Sequence, residues 1–441
     1  MEDRGYLEGR SHEEQANHNE LYQNQLRRIK HLKMCGATKT KLCEAAKVLK
    51  SIKCALRTKR KATNTDSGPE ASRFYPPPLV LPTDEEGFVV SFDAMRALDE
   101  HGVETECARY FFMKYGFVIF RGVLNPKQCK DTAAEIWSHL ERQYPELRRE
   151  VPSTYSVLSS KTYGLASEPA IFTPQIVRNR CNQYVVKALR LLLNKTDILV
   201  SHDRWCLYRP TKNIKTEDCS IDRPEWKTKG NLHLDLNPWL YLENEIPQLL
   251  NYDNLRDFSK EMNSVTEKSG PHVQGVLSIL DNLEQDGGTV LVPGFHKVFS
   301  RWVQHLGPME QYVNHSVANA NRLVWRGNGA GSFKFDDLDP VHTLKHRISL
   351  RAGSFLVWDQ RLVHGSLPNN SSKLRMAQFI KAFGRQGIND TQYNRRSQSI
   401  CKHMKMAGTL ALDGLKRDAW QVLGIQPQGQ NSTTAVEDST R

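Results

Sequence analysis

Apolar side chains recur at three- and four-residue steps through Leu42, Ala45, Leu49, Ile52 and Leu56, with lysines between them. That spacing predicts an amphipathic helix, one apolar stripe on a basic cylinder. Residues 1–26 are polar throughout and predict disorder. After the helix, TNTDSGPEASRFYPPPLVLP (63–82) reads as a linker rich in breaker residues. A helical stretch follows near 93–115. Then Tyr115-Gly-Phe-Val-Ile-Phe-Arg-Gly-Val-Leu124 forms a compact apolar run, the mark of a buried strand. In PKQCKDTAAEIWSHLERQ (126–143) the period becomes helical again. Ala133, Ile136, Trp137 and Leu140 share a face there, and Pro126 suits a first helical turn.

From about 199 to 383 the pattern shortens to strands punctuated by turns. Val273–Leu280 and Thr289–Val292 flank an Asp-Gly-Gly turn (286–288), and Leu350–Trp358 and Arg375–Phe383 are further strands. Helices first and many short strands afterwards predict a mostly β protein with flanking helices (α+β), its core an antiparallel barrel or double sheet. Two less regular stretches, about 239–271 and 301–345, read as insertions between strands. Three parts are expected: a polar, basic N-terminal extension (1–75), a main folded domain (76–390), and a C-terminal helix with a disordered tail (391–441).

Charge sharpens that division. The chain carries 61 basic and 49 acidic residues, a net +12. Residues 27–61 hold thirteen Lys/Arg against Glu44 alone, which leaves 48 of each sign elsewhere. The whole excess therefore sits on the basic helix. An acidic membrane surface, nucleic acid, calmodulin or the nuclear import machinery would each suit such a helix, and so would simple solvation of its lysines. No apolar run approaches the ~18–20 residues of a membrane-spanning helix. The start, MEDRGYLEGRSHEEQ, matches neither a secretory signal nor a transit peptide. The nine cysteines are scattered and never form a CxxC pair. Together these predict an intracellular protein, cytoplasmic or alternatively nuclear.

The chemistry gathers in two places. In Asn231-Leu-His233-Leu-Asp235, alternation puts His233 and Asp235 on one side of a strand. Two imidazoles and one carboxylate on adjacent corners make the facial set that iron(II) oxygen chemistry uses, and this pair supplies two of the three. Further on, the strand Gly353-Ser-Phe-Leu-Val-Trp-Asp359 delivers Val363-His364-Gly365-Ser366, and Arg375 follows His364 by eleven residues. Arg375, Ala377 and Phe379 share a strand face, so one guanidinium projects into an apolar interior. It needs an anion there, and a planar fork grips a carboxylate through two bonds. His296, His305, His342 and His346 lack an arginine at that spacing; His315 has Arg326 but not the preceding Gly-led strand.

These pieces, with YGFVIFRGVL…CKDTAAEIW, GGTVLVPGFHK (287–297) and GSFLVWDQRLVHGSLPNN…R (353–375), resemble the phytanoyl-CoA dioxygenase family over about 110–383. The resemblance implies a double-stranded β-helix (jelly-roll, cupin-like) core with His233, Asp235 and His364 as metal ligands. It implies iron(II), 2-oxoglutarate and O2 as cofactor and co-substrates, with Arg375 and the Ser366 hydroxyl on the distal carboxylate. It also implies hydroxylation of a small-molecule or acyl substrate that the sequence does not name. The 131 residues from His233 to His364 agree with the two insertions.

Two other readings compete. One is a catalytically inactive oxygenase-fold binding protein that acts through residues 27–61. The other is a cupin-like metalloenzyme that does not use 2-oxoglutarate. Among single residues, Trp239 reads equally as substrate entrance or core. Arg204, Tyr208 and Arg209 read as an exposed strand edge before an anion-binding role, and His296 as a turn residue.

Overall fold

The computed structural model describes residues 73–98, 102–158, 165–166, 171–216, 219–236, 238–242, 272–307, 333–335, 339–388, 390–412 and 415–425. The basic helix, most of both expected insertions and the tail after 425 lie outside the described residues. In chain order the strands are β1 (Phe92–Asp93), β2 (Phe117–Arg121), β3 (Leu165–Ala166), β4 (Ile198–Val200), β5 (Trp205–Tyr208), β6 (Ile214–Lys215), β7 (Ser220–Ile221) and β8 (Asn231–Leu234). They continue as β9 (His272–Ser278), β10 (Gly288–Leu291), β11 (Phe333–Lys334), β12 (His346–Arg347), β13 (Phe355–Asp359), β14 (His364–Leu367) and β15 (Arg375–Gly384).

Two sheets make the core. The larger runs β1-β2-β13-β9-β15-β5-β3, with β4 also pairing β15, and the smaller runs β11-β8-β14-β10-β12. Within these sheets only β1 and β2 pair in parallel. Side chains from the two sheets meet between them: Arg375 of β15 reaches Thr289 of β10, and Trp358 of β13 lies against His364 of β14. This is the expected double-stranded β-helix.

Strands β2, β9 and β13 are buried along almost their whole length rather than on alternate residues. A strand reads as a continuous apolar run when both of its faces are covered. The smaller sheet covers one face of the larger, and helices cover the other. The helix Pro126–Gln143 starts at a capping box: Asn125 accepts from the Gln128 amide while Gln128 answers the Asn125 N–H. Its Ile136, Trp137 and Leu140 are buried. The helix is tied inward through Asn179, whose amide donates to both Thr132 and Gln378 of β15. The helix Gln183–Leu193 buries Val185, Val186, Ala188, Leu189 and Leu193. The C-terminal helices Asp390–Met406 and Arg417–Leu423 dock through the buried Arg396, which donates to the carbonyls of Val200 on β4 and Leu423.

The Asp-Gly-Gly turn carries the chain between the sheets, from β9 in the larger to β10 in the smaller, with Gly287 at φ +72 and Gly288 at φ +112. The structure departs from expectation in two places. The stretch around Arg204, Tyr208 and Arg209 is no exposed edge, since β5 is buried between β15 and β3. Arg209 is itself buried over Trp226 and donates to the Tyr155 carbonyl. His296 belongs to the first turn of the helix Phe295–Leu306, where its Nε2 meets the Met113 carbonyl. Trp239 resolves as core: it is buried, and its indole donates to the Gly307 carbonyl.

Candidate active site

Antiparallel pairing of β8 with β14 sets His233 directly opposite His364. Their rings lie 4.4 Å apart, centroid to centroid. Asp235 stands one residue past the end of β8, and its carboxylate closes the group: Oδ1 is 3.3 Å from His233 Nε2 and Oδ2 is 3.6 Å from His364 Nε2. One donor atom from each of the three falls within 4.8 Å of the others. Gly365 makes this approach feasible, because a Cβ there would lie 1.8 Å from the Asn231 carbonyl oxygen. The Asn231 side chain then accepts from the Ser366 amide and fixes the register.

Protonation suits metal binding. His364 Nδ1 lies 3.0 Å from the Leu362 carbonyl, which selects the Nδ1–H tautomer and leaves the Nε2 lone pair toward Asp235. Burial, and then the neighbouring His364, lowers His233 below the ordinary histidine value. Burial alone would raise the Asp235 carboxyl. Lys381 first, and then the facing His233 and His364 side chains, more than offset this and hold it well below the usual carboxylate range. Two imidazoles and one ionised carboxylate are what a divalent ion of intermediate softness accepts.

A second group lies along the same inward faces. Thr289 and Ser366 are register partners on β10 and β14, and Arg375 and Tyr208 are register partners on β15 and β5. Arg375 is buried, donates to Thr289 Oγ1 (3.2 Å) and Cys206 Sγ (3.4 Å), and stacks its guanidinium 4.7 Å from the Tyr208 ring. Among the described residues no carboxylate pairs with it. The Ser366 hydroxyl is also buried beside Tyr208, without a hydrogen bond of proper geometry. Arg347 adds positive potential; burial and then Arg375 push its guanidinium down to about 9. Its terminal N–H groups donate to the carbonyls of Thr289, Ile348, Leu283 and Gly287 and to Asn282 Oδ1, while its buried Nε has no hydrogen-bond partner. Ser366 follows His364 by two residues on one strand face, about 6.8 Å on. An anion held at Arg375 and Ser366 would thus extend toward the histidines.

All five residues singled out from the sequence come together here. Sequence reasoning missed Lys381, Gln274 and Thr289. Lys381 Nζ and Gln274 Nε2 each lie 3.0 Å from Asp235 Oδ2. The alternation that turned Arg375, Ala377 and Phe379 inward extends to Lys381, so that one signal was present.

Fold, donor set and buried arginine together define a metal-dependent oxygenase of the double-stranded β-helix type. The phytanoyl-CoA dioxygenase (PhyH) family model matches residues 112–377, and the chain belongs to that family. A phytanoyl-CoA dioxygenase-family protein of Dictyostelium discoideum is 34% identical over 326 residues, covering 71% of this chain and 86% of its own. Among solved structures, HygX from Streptomyces hygroscopicus with nickel and 2-oxoglutarate bound shows 15% identity at a TM-score of 0.36, over 63% of this chain and 86% of that one. EvdO2 from Micromonospora carbonacea var. aurantiaca shows 15% identity and a TM-score of 0.35, over 69% of this chain and 92% of that one. At such scores the structural likeness is loose; family membership rests on sequence. This protein is an iron(II)- and 2-oxoglutarate-dependent dioxygenase that uses O2.

Proposed function

We propose that His233, Asp235 and His364 hold the iron(II), that Arg375 and Ser366 hold the distal carboxylate of 2-oxoglutarate, and that the enzyme hydroxylates an organic substrate. The observation that carries this reading is the convergence of the three donor atoms within 4.8 Å, next to a buried arginine that has no carboxylate partner among the described residues. Iron held by His233, Asp235 and His364 would supply the coupling of O2-dependent decarboxylation of 2-oxoglutarate, to succinate and carbon dioxide, with oxidation of a substrate C–H bond.

The chain's own residues bind, orient and exclude water. His364 is locked in one tautomer by the Leu362 carbonyl. Arg375 and Ser366 give the co-substrate's far carboxylate two sets of donors, and Thr289 and Tyr208 hold the guanidinium in place. Apolar neighbours on β9, β13 and β15 keep this end dry, which strengthens each charge-assisted bond. An aspartate at 235, rather than a residue without a donor, favours hydroxylation over halogenation, because a halide needs that ligand position empty.

The substrate is a small molecule or an acyl compound. Residues 27–61 serve as a separable contact for an anionic partner: a membrane surface, nucleic acid or calmodulin. The protein works inside the cell, in the cytoplasm or the nucleus. The complete metal set weighs against a purely binding, inactive role. Succinate release from 2-oxoglutarate, measured with purified full-length protein and iron(II), tests the reading. Release should require iron and O2 and should vanish in His233→Ala, Asp235→Ala and His364→Ala while each variant stays folded. Full release in any of the three would refute the ligand assignment.

A further inference from the structure

One sheet carries the three candidate ligands, while the other carries a cation and an amide aimed at one of them. Lys381 and Gln274 are register partners on β15 and β9. Lys381 Nζ and Gln274 Nε2 both reach Asp235 Oδ2 at 3.0 Å. A carboxylate oxygen offers about two lone-pair positions, so these two donors fill Oδ2. Oδ1 takes neither of these donors and faces His233, whose Nε2 is 3.3 Å away.

The amide is not free to turn over. Trp358 Nε1 donates to Gln274 Oε1 at 3.0 Å. An indole N–H donates only, so the oxygen must face Trp358 and the NH2 must face Asp235. The same indole lies 5.3 Å from the His364 ring, centroid to centroid. Trp358 thereby packs on one candidate ligand and orients the group that binds another. Lys381 is held from behind, its amide donating to Ser201 Oγ and its carbonyl accepting from the Ser201 N–H. Its side chain is only 12% exposed. Asp235 lies beyond the end of β8 and has no ladder partner among the described residues. The opposite sheet restrains its carboxylate.

We propose that Lys381 and Gln274 are positioning residues that clamp Asp235 Oδ2 across the barrel and present Oδ1 as the metal-facing oxygen. This rests on the metal reading above. A different account would have Lys381 merely neutralise the empty site and give way when metal arrives. The two accounts predict opposite signs for metal affinity. Partners behind a ligand typically carry 10–100-fold of metal affinity. A lysine that only competes with the metal would, when removed, leave binding tighter.

The test is anaerobic Mn(II) titration of the full-length chain, followed by electron paramagnetic resonance, in wild type, Gln274→Leu, Lys381→Met, Lys381→Arg and His233→Ala. Gln274 is uncharged, so Q274L reports positioning without altering electrostatics. Expected are roughly 10–100-fold weaker binding in Q274L and in K381M, recovery toward wild type in K381R, and no binding in H233A. Thermal melts without metal verify that the variants are folded, and Q274L and K381M test the clamp independently of one another. Equal or tighter Mn(II) binding in folded K381M, with wild type and H233A behaving as stated, would overturn the clamp alone. No binding by the wild-type chain would overturn the metal reading and the clamp with it.

Discussion

Replacing Arg375 by methionine keeps the apolar stem and removes the fork. In the folded protein that fork is buried, held by Thr289 and Cys206 on one side and the Tyr208 ring on the other. Space around it is tight: a Cβ on Gly288, which sits at φ +112, would come within 2.5 Å of Arg375 Nε. Neither water nor a surface lysine can easily replace it. Truncating one partner of a buried, hydrogen-bonded charge pair costs about 2–5 kcal/mol. At about 1.4 kcal/mol per decade, that raises the apparent KM for 2-oxoglutarate roughly 30- to 4,000-fold. A lysine in its place would keep the charge but not the bidentate geometry, so Arg375→Lys should fall between. The assay is succinate release against 2-oxoglutarate concentration at saturating iron(II), with Mn(II) affinity measured in parallel. Metal binding should change little, because Arg375 contacts none of the three donors. An unchanged 2-oxoglutarate dependence in R375M would refute the anchor, and Arg326 would be the next residue to test.

Three further outcomes follow from particular residues. Gly365→Ala places a Cβ 1.8 Å from the Asn231 carbonyl oxygen, so β8 and β14 must part; metal affinity should collapse, and retained Mn(II) binding would contradict the register argument. Burial pushes His272 down to about 3, whereas an unfolded histidine titrates near 6.5. The unfolded chain alone takes up this proton, so stability falls as pH drops from about 6.5 toward 3, by at most about 1.4 kcal/mol per pH unit. Urea unfolding of metal-free protein at pH 7 and pH 5 should show a smaller pH loss in His272→Phe than in wild type; equal losses would sink the assignment. Phe74 stacks on His305 at 3.6 Å, so a chain lacking residues 1–72 should stay soluble and active. It should lose salt-sensitive binding to anionic vesicles or nucleic acid. Loss of activity would mean that the Leu42–Leu56 face packs on the barrel.

The site was legible where strand alternation alone decides which way a side chain points. His233, Asp235, His364, Ser366 and Arg375 could be placed on inward faces without knowing which strands pair. The sheet assignment of β9 and β10 could not be read, because a turn signal reports a reversal and not the partners beyond it. Arg209 was misjudged because charge predicts exposure. Its burial depends on partners distant in the chain, the Trp226 ring and the Tyr155 carbonyl. Lys381 lay on a face already identified, but its partner Asp235 is 146 residues away in the other sheet. Nothing local announces such a pairing.

The central claim is that one metal ion sits among His233, Asp235 and His364, with 2-oxoglutarate running from it to Arg375. Anomalous diffraction at the iron edge, from anaerobic crystals grown with iron(II) and 2-oxoglutarate, tests it most directly. The account predicts a single strong peak bonded to His233 Nε2, Asp235 Oδ1 and His364 Nε2, with the co-substrate's far carboxylate on Arg375. A peak elsewhere, or a carboxylate bound away from Arg375, would contradict it.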